Sequence, residues 1–439
     1  MILHEIDTAF DVIDQKYIDS IRESSREVFK HYLKTGLKNT DKIPTDHGLQ
    51  EFWAYLGTMT FSEFKNAKIN LHILPLDRVE AAQGASGSRV FVSYFSLTNN
   101  KENHYSNPLI LKYQDMGLDT SRDKLIQEKN QADSIRPFVR DRGNYYAFPV
   151  VYKRIKKIGI LWAPFSSSVF SKTGKQDGQK PVLKEDNLWK AFDKLNLDCS
   201  DTSAVKKITN CFNNLYEVLY PIHTKDSKPV RKLKSLRLEY KWYLRNDLWL
   251  PAFEKIWGDK KKLKVDDFGK KWINPVYVYH ELKTYKKKIT MGCIHGDLHT
   301  KNIVFAPGSN LRIIDFGWTQ DFAHIAKDFI LLESNLRFMI LHPDVPYHDL
   351  LLLCKTLDES NTDPSLYQCE YSRFIHDRII EVRQKAKKVL DENNMFAEYY
   401  IPLFFLCLGL LNFTKSFNNV TNARLTILHL AEMIHNHLK

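Results

Sequence analysis

The chain has 439 residues, 43% of them hydrophobic and 26% charged, with a formal net charge of +12. These are ordinary globular values, with room for about two to three domains and a sizeable core, and no internal repeat, coiled-coil heptad or long low-complexity tract is present. The excess of cations suits nucleotides, phosphorylated substrates, nucleic acid or an anionic membrane face, or else forms a solvated basic surface. Six cysteines (Cys199, Cys211, Cys293, Cys354, Cys369 and Cys407) show neither paired short spacing nor clustering with histidine. They read as isolated thiols in a reducing cytosol, with no zinc site. Glu5 and Asp7 stand where a secretory leader would be basic, so a cytoplasmic protein is expected. The longest apolar run, Tyr400–Phe413, is too short to span a bilayer and reads as a buried helix.

In chain order, residues 1–69 read as helical. Ile18, Ile21, Val28, Phe29 and Tyr32 recur mostly at three- and four-residue intervals with charges between them. A further helix is expected near Leu49–Lys65. No catalytic constellation falls here, and the segment reads as an accessory cap or a partner-binding piece. From Leu71 the pattern turns to strands: Leu71–Leu76, Val90–Leu97 and Pro108–Tyr113. Between the first two lies Gln83-Gly-Ala-Ser-Gly-Ser88, a small-residue turn. Glycines there let backbone N–H groups approach a phosphate chain, although a plain hairpin would look the same.

Lys112 sits inside an apolar strand, where a cation is costly unless an anion meets it. A helix predicted over about Ser121–Ile135 carries Glu128, sixteen residues on, a spacing that suits a strand lysine paired to the next helix. A snorkelling Lys112, or a plain helix-surface pair between Lys124 and Glu128, is the alternative. Tyr145–Tyr152 and Lys157–Trp162 read as two more strands, and a polar linker follows to about Gln179. Helices are expected over Ala204–Leu219 and Lys232–Ile256, the second rich in aromatics that read as core or as a stacking platform for bases. The runs Lys260–Lys264 and Lys286–Lys288 read as solvated faces, or as contacts for an acidic substrate.

Two polar loops then follow short apolar runs. Met291–Ile294 leads into His295-Gly-Asp-Leu-His-Thr-Lys-Asn302, and Leu311–Ile314 leads into Asp315-Phe-Gly317. Short strands with acids at their mouths can converge Asp297, Asn302 and Asp315 on one point. Metal-assisted phosphoryl transfer needs such a set: one carboxylate to orient a hydroxyl, and an amide oxygen and a second carboxylate to hold Mg²⁺. A polar turn between buried strands, with His295 bonded to backbone, is the plainer alternative. Helices are expected again over Phe322–Leu341, Leu350–Leu357, about Leu366–Leu390, Phe396–Phe413 and Ala423–His437.

The His-Gly-Asp-Leu-His-x-x-Asn loop with Asp-Phe-Gly resembles the catalytic loop and metal turn of kinase-like phosphotransferases, in the aminoglycoside phosphotransferase and choline kinase branch. The Gly-Ala-Ser-Gly-Ser turn and Lys327-Asp-Phe-Ile-Leu-Leu-Glu333 resemble a bacterial kinase-like group, the ternary-complex-associated domains, over roughly residues 70–345. The resemblance implies an α+β, bilobal protein-kinase-like fold. Residues 1–69 would be a helical extension, 70–165 an N-lobe with a small antiparallel sheet, and 166–439 a large helical C-lobe.

The same resemblance implies ATP and Mg²⁺ as cofactors. Gly84, Ser86, Gly87 and Ser88 would cover the phosphates, which Lys112, held by Glu128, would align; backbone groups around Leu161–Ala163 would meet adenine. Asp297 would orient the attacking hydroxyl, and Asn302 and Asp315 would ligate Mg²⁺. Gly296 stands where protein kinases carry arginine, and the short turn after Gly317 leaves no room for a long activation segment. His299 replaces a lysine and would contact the γ-phosphate or simply bond the loop. The expected activity is phosphotransfer to a hydroxyl of a protein or small molecule. Nucleotidylyl transfer and a nucleotide-binding pseudokinase are the competing readings, and nucleic acid is a possible but disfavoured partner.

Overall fold

The computed structural model describes residues 68–75, 89–99, 102–105, 109–115, 123–149, 151–155, 158–164, 186–225, 228–244, 247–258, 260–265, 270–305, 311–358, 363–411 and 417–439. The expected helical extension, and the Gln83–Ser88 turn with Gly84, Ser86, Gly87 and Ser88, lie outside them, save Lys68 and Ile69, which begin a strand. The chain divides into two compact units. Among the described residues, one takes in those from Lys68 to Asp133 and from Ala147 to Pro164, the other those from Ser134 to Tyr146 and from Asp186 to Lys439. The architecture is α+β, with an antiparallel sheet in the first unit and a mostly helical second unit.

The sheet of the first unit contains Lys68–Pro75 (β1), Arg89–Asn99 (β2), Glu102–Tyr105 (β3) and Leu109–Asp115 (β4). The helix Lys124–Ile135 (α1) follows, and then Val151–Ile155 (β5) and Ile158–Pro164 (β6). The strand order is β1-β2-β4-β6-β5, with β3 paired to β2, and every pairing is antiparallel. β4 is interior, which explains its apolar Leu-Ile-Leu run. Lys112 stands opposite Val90 on one side and Leu161 on the other. The Asp123 carboxylate caps α1, accepting from Ile126 N–H at 3.0 Å, and Leu125, Glu128, Ala132 and Ile135 share its buried side. The expected strand at Tyr145–Tyr152 is mostly something else. Arg136–Tyr145 is a 3₁₀ segment, Tyr146 makes a single parallel bridge to Ile313, and the strand begins only at Val151.

In the second unit Asn187 and Asp201 cap Leu188–Leu197 (α2) and Thr202–His223 (α3), accepting from the N–H groups of Lys190 and Ala204. Ile208, Cys211, Phe212, Leu215, Leu219 and Ile222 form the buried stripe of α3, at helical spacing. Next come Val230–Ser235 (β7), Leu236–Glu239 (α4), Leu250–Trp257 (α5), the pair Lys262–Val265 (β8) and Lys270–Ile273 (β9), and Pro275–Glu281 (α6). Lys286–Ile294 (β10) is the middle strand of a three-stranded sheet. Ile303–Phe305 (β11) pairs with Leu311–Ile313 (β12), and Gln320–His324 (β13) returns to pair with β10. The helices Ala326–Asn335 (α7), Tyr347–Lys355 (α8), Glu370–Lys387 (α9), Ile401–Leu410 (α10) and Val420–Leu438 (α11) complete the unit.

Two helical expectations fail here for one reason. Lys232–Ile256 is not one helix: its start is β7, and its end is α4, a turn and α5. Phe322 lies in β13, so the helix after the Asp-Phe-Gly turn begins only at Ala326. Both segments are recruited as strands by β10, a partner distant in sequence, and such pairing overrides local periodicity. The apolar run from Tyr400 forms α10, buried nearly all round between α7 and α11. No helix among the described residues is long and apolar enough to cross a membrane. The core of the unit also holds a closed ionic cluster. Glu333 accepts from Arg337 Nε at 2.8 Å, Arg383 Nε at 2.9 Å and Tyr399 Oη at 2.8 Å, all buried.

Candidate active site

Strand β10 ends at Ile294, and the loop His295–Asn302 that follows is held from beneath by a single carboxylate. Asp328, wholly buried in the first turn of α7, accepts the backbone N–H of His295 at 3.0 Å and that of Gly296 at 2.8 Å. His223, the last residue of α3, meets the same carboxylate through Nε2 at 3.1 Å. Burial alone would raise the Asp328 pKa. The hydrogen bond and charge of His223, with His295 and the Gly296 N–H, outweigh it and hold the carboxyl below its usual range.

The loop backbone itself is unusual. Gly296 has φ +83°, and a Cβ there would lie 2.2 Å from the Trp318 carbonyl oxygen, so only glycine fits. Its own carbonyl accepts from Tyr243 Oη at 2.7 Å. Burial, then the Asp328 and Asp297 charges, push the Tyr243 phenol well above its ordinary pKa, so it stays a donor. The turn carrying Tyr243 is in turn wedged against α10, where a Cβ on Gly409 would come within 1.9 Å of the Tyr243 carbonyl oxygen.

Asp297 and Asn302 are joined directly. Asn302 Nδ2 donates to the Asp297 carbonyl at 2.9 Å and to its Oδ2 at 3.3 Å. That commits the nitrogen end of the amide and leaves the oxygen as its ligating end. Thr300 is anchored from N–H and Oγ1 to Asn335 Oδ1, at 3.2 and 2.5 Å. Ile314 N–H donates to the Asn302 carbonyl at 3.0 Å, extending the β11–β12 pairing. Asn302 and Asp315 therefore leave the same end of one ladder. Asp315 has φ +64°, the left-handed region that aspartate tolerates better than most residues, and such backbone tends to gather at functional positions. Phe316 is buried behind it, edge-on to His295 with ring centroids 5.2 Å apart.

His295 links the two loops. Its Nδ1 accepts from Asp297 N–H at 3.3 Å, which leaves Nε2 to donate to the Ile314 carbonyl at 3.0 Å. His295 is thus bonded to backbone, and it fixes the spacing of the loops as well. His299 bonds its own loop, accepting from Lys301 N–H at 3.2 Å, while its Nε2 lies 3.6 Å from Asp297 Oδ2. Both side chains are about 30% exposed, so solvent and a substrate can reach them.

In the first unit, Lys112 Nζ meets both Glu128 oxygens, at 2.8 and 3.1 Å, with side-chain exposures of 16% and 8%. The sixteen-residue spacing thus makes a pair, and Lys112 does not snorkel. Leu161 has ladder partners on both sides, Lys112 and Tyr152, while Ala163 pairs with Ile110. Among the described residues no three His, Cys, Asp or Glu side chains form a metal cluster. The Mg²⁺ set expected from the sequence is smaller, one carboxylate and one amide oxygen, both hard donors that leave positions for phosphate oxygens and water.

Several contributors escaped the motifs. His223, Tyr243 and Asn335 lie 105, 53 and 35 residues from their partners. His223 looks like any helix-end histidine, and Tyr243 like one aromatic among many. Only Asp328 is marked in the sequence, by the Lys-Asp-Phe-Ile-Leu-Leu-Glu segment.

The described chain is therefore an α+β protein whose second unit carries a braced loop of the kinase-like type. Residues 259–404 match the family described as ternary complex associated domain 9. That match supports, over the segment holding the loop, the kinase-like relationship that the motifs pointed to. Among solved structures the chain is similar to the aminoglycoside-3'-phosphotransferase of type VIII, at 13% identity over 71% of this chain and 93% of that one, with a TM-score of 0.30. No curated protein matches.

Proposed function

We propose that the chain is a phosphotransferase that uses ATP with Mg²⁺ to phosphorylate a hydroxyl of a protein or small molecule. The observation that supports it best is the direct Asn302–Asp297 bond on a loop whose backbone is tied to Asp328, with Asp315 leaving the same ladder end as Asn302. The carboxylate of Asp297 would accept the acceptor's hydroxyl hydrogen and orient its oxygen toward the γ-phosphorus. Asn302 Oδ1 and the Asp315 carboxylate would hold Mg²⁺, which when bound supplies charge neutralisation at the β- and γ-phosphates. Lys112, kept in place by Glu128, and the turn Gly84, Ser86, Gly87 and Ser88 would bind the nucleotide phosphates, and Ala163, or Leu161, would meet adenine. The new bond joins the acceptor oxygen to the γ-phosphorus, the β–γ bridging bond breaks, and ADP leaves while the proton passes to Asp297 or to solvent. Such transition states are loose, so positioning and charge placement carry most of the rate.

The test is transfer from ATP labelled on the γ-phosphate into a lysate or a panel of hydroxyl acceptors, with Asp297→Asn as control. Wild-type-dependent label on an acceptor, absent with Asp297→Asn, supports the proposal. Label carried only by α-labelled ATP, with a product heavier by AMP, would instead mean nucleotidylyl transfer. Binding of Mg-ATP without turnover would mean a nucleotide-sensing pseudokinase.

A further inference from the structure

Strand β7 is an edge strand, and it carries Arg231, Lys232 and Lys234, while β10 beside it opens with Lys286, Lys287 and Lys288. The register sets Lys287 directly opposite Lys234, with Lys232 opposite Ile289 one pair further along. Like charges directly opposed on a ladder destabilise it unless a counter-charge is present. Among described residues Arg231 alone of the six finds a carboxylate, Asp391 at 2.6 Å with Glu398 at 3.8 Å. Lysine on an edge strand also blocks edge-to-edge pairing, but that purpose does not call for cations on the inner strand as well.

Side chains alternate across a strand, so Lys232, Lys234 and Lys287 share one face of the ribbon, and Leu233 takes the other. The Lys234 ammonium lies 5.9 Å from the Phe322 ring centroid, which puts that ring on the same face. Phe322 is 50% exposed. A flat exposed ring beside Lys232 and Lys234, about 6.8 Å apart along β7, with Lys287 across the ladder from Lys234, is the pairing that single-stranded nucleic acid uses, base on ring and phosphates on lysine. A duplex would offer no free base face to the ring. An anionic membrane would take up the exposed Leu233 (63%), which lies on the other face opposite Lys288, away from the Phe322 ring.

We propose that the β7–β10 ribbon is a docking surface for single-stranded nucleic acid, with phosphates along Lys232, Lys234 and Lys287 and a base stacked on Phe322. It is independent of the phosphotransfer proposal and requires no nucleotide to be present.

The experiment is fluorescence anisotropy of the full chain with a labelled oligouridylate of about ten nucleotides, within the usual single-strand site size, across a salt series. The wild type should bind, with log affinity against log salt falling at a slope of about −2, roughly −0.7 for each of the lysines on this face. Lys287→Glu should weaken binding by about tenfold and make that slope shallower. Lys194→Glu, an exposed lysine on α2 with the same change of net charge, should leave binding unchanged. Phe322→Ala should weaken binding by about fivefold or more while keeping the slope, because stacking carries no charge. Melting curves of all variants, matched to wild type, keep misfolding apart from lost contact. No binding at low salt, an equal loss in Lys194→Glu, or capture of phosphatidylserine vesicles but not of the oligonucleotide would each overturn the proposal.

Discussion

The backbone N–H of Gly296 donates to Asp328 Oδ1 at 2.8 Å, and the neighbouring N–H of His295 takes the other oxygen at 3.0 Å. One buried carboxylate thereby fixes the two peptide units directly before Asp297. Asp328→Asn keeps the volume but turns one acceptor into a donor facing an N–H. A buried donor left unsatisfied costs about 1–3 kcal/mol. The variant should melt below the wild type, and any transfer activity should fall further than its folded fraction does. Because the Asp328 pKa is held below its usual range, its contribution is complete at neutral pH and is lost as pH falls through that lowered value. The wild type should therefore lose stability in acid more steeply than Asp328→Asn, which differential scanning across pH 3–7 would show.

Gly296 offers a sharper test of the loop. With φ +83° and the Trp318 carbonyl 2.2 Å from any Cβ, alanine meets both a strained dihedral and backbone that cannot yield like a side chain. Gly296→Ala should cost more than the roughly 1–2 kcal/mol of a left-handed backbone for an L-residue, and it should lower activity even at temperatures where the variant is fully folded. An unchanged melting temperature would mean that the loop can open away from Trp318.

The parts of the site legible in the sequence were those written locally. In the second unit, Asp297 with Asn302, and Asp315 on its turn, come from one stretch of chain; in the first unit, described by itself, the lysine–glutamate pair comes from a strand and the next helix. The supports were not legible, because His223, Tyr243 and Asn335 act from distant segments and carry no motif of their own. The same cause explains the errors of fold. β7 and β13 are strands because β10 needs partners on both sides, whereas their own residues suit helix or turn as well.

The Glu333 cluster should govern acid stability of the second unit. Burial would raise this carboxyl, but the Arg383 and Arg337 charges outweigh it and take it from 4.5 down to about 2. Its folded value lies below its unfolded one, so its contribution is whole above about pH 4.5 and disappears as pH falls toward 2. Glu333→Gln leaves two buried guanidiniums without their anion and should cost roughly 3–5 kcal/mol at neutral pH. That loss should shrink in acid; a gap between variant and wild type that stays constant from pH 7 to pH 3 would contradict the assignment.

The buried thiols give a check that needs no substrate. Burial pushes Cys211 and Cys407 up to about 12, so neither carries appreciable thiolate at neutral pH. Cys199 and Cys369 are only partly covered. Alkylation of the native chain at pH 8 should label Cys369 and Cys199 well before Cys211 or Cys407, with all sites reacting once the chain is unfolded. Native labelling of Cys407 would mean that α10 opens readily.

The last expectation separates binding from chemistry within the proposed site. Asn302 and Asp315 are assigned to the cation, Asp297 to the acceptor hydroxyl, so substitutions should split along that line. Mg-ATP is expected to raise the melting temperature of the wild type. Asp315→Ala should lose most of the Mg²⁺-dependent part of that rise while keeping the part that ATP gives alone. Asp297→Asn should keep the full rise, since an amide still fits the Asn302 hydrogen bond, yet should lose about 10²-fold or more in transfer, the usual worth of a positioned acid–base group. Lys112→Ala, which removes the cation that both Glu128 oxygens meet, should weaken nucleotide binding with or without Mg²⁺. The measurement that decides is the pair of thermal shifts for Asp315→Ala and Asp297→Asn. If both lose the Mg²⁺-dependent rise equally, the two carboxylates share the cation, and the separate role given to Asp297 is wrong.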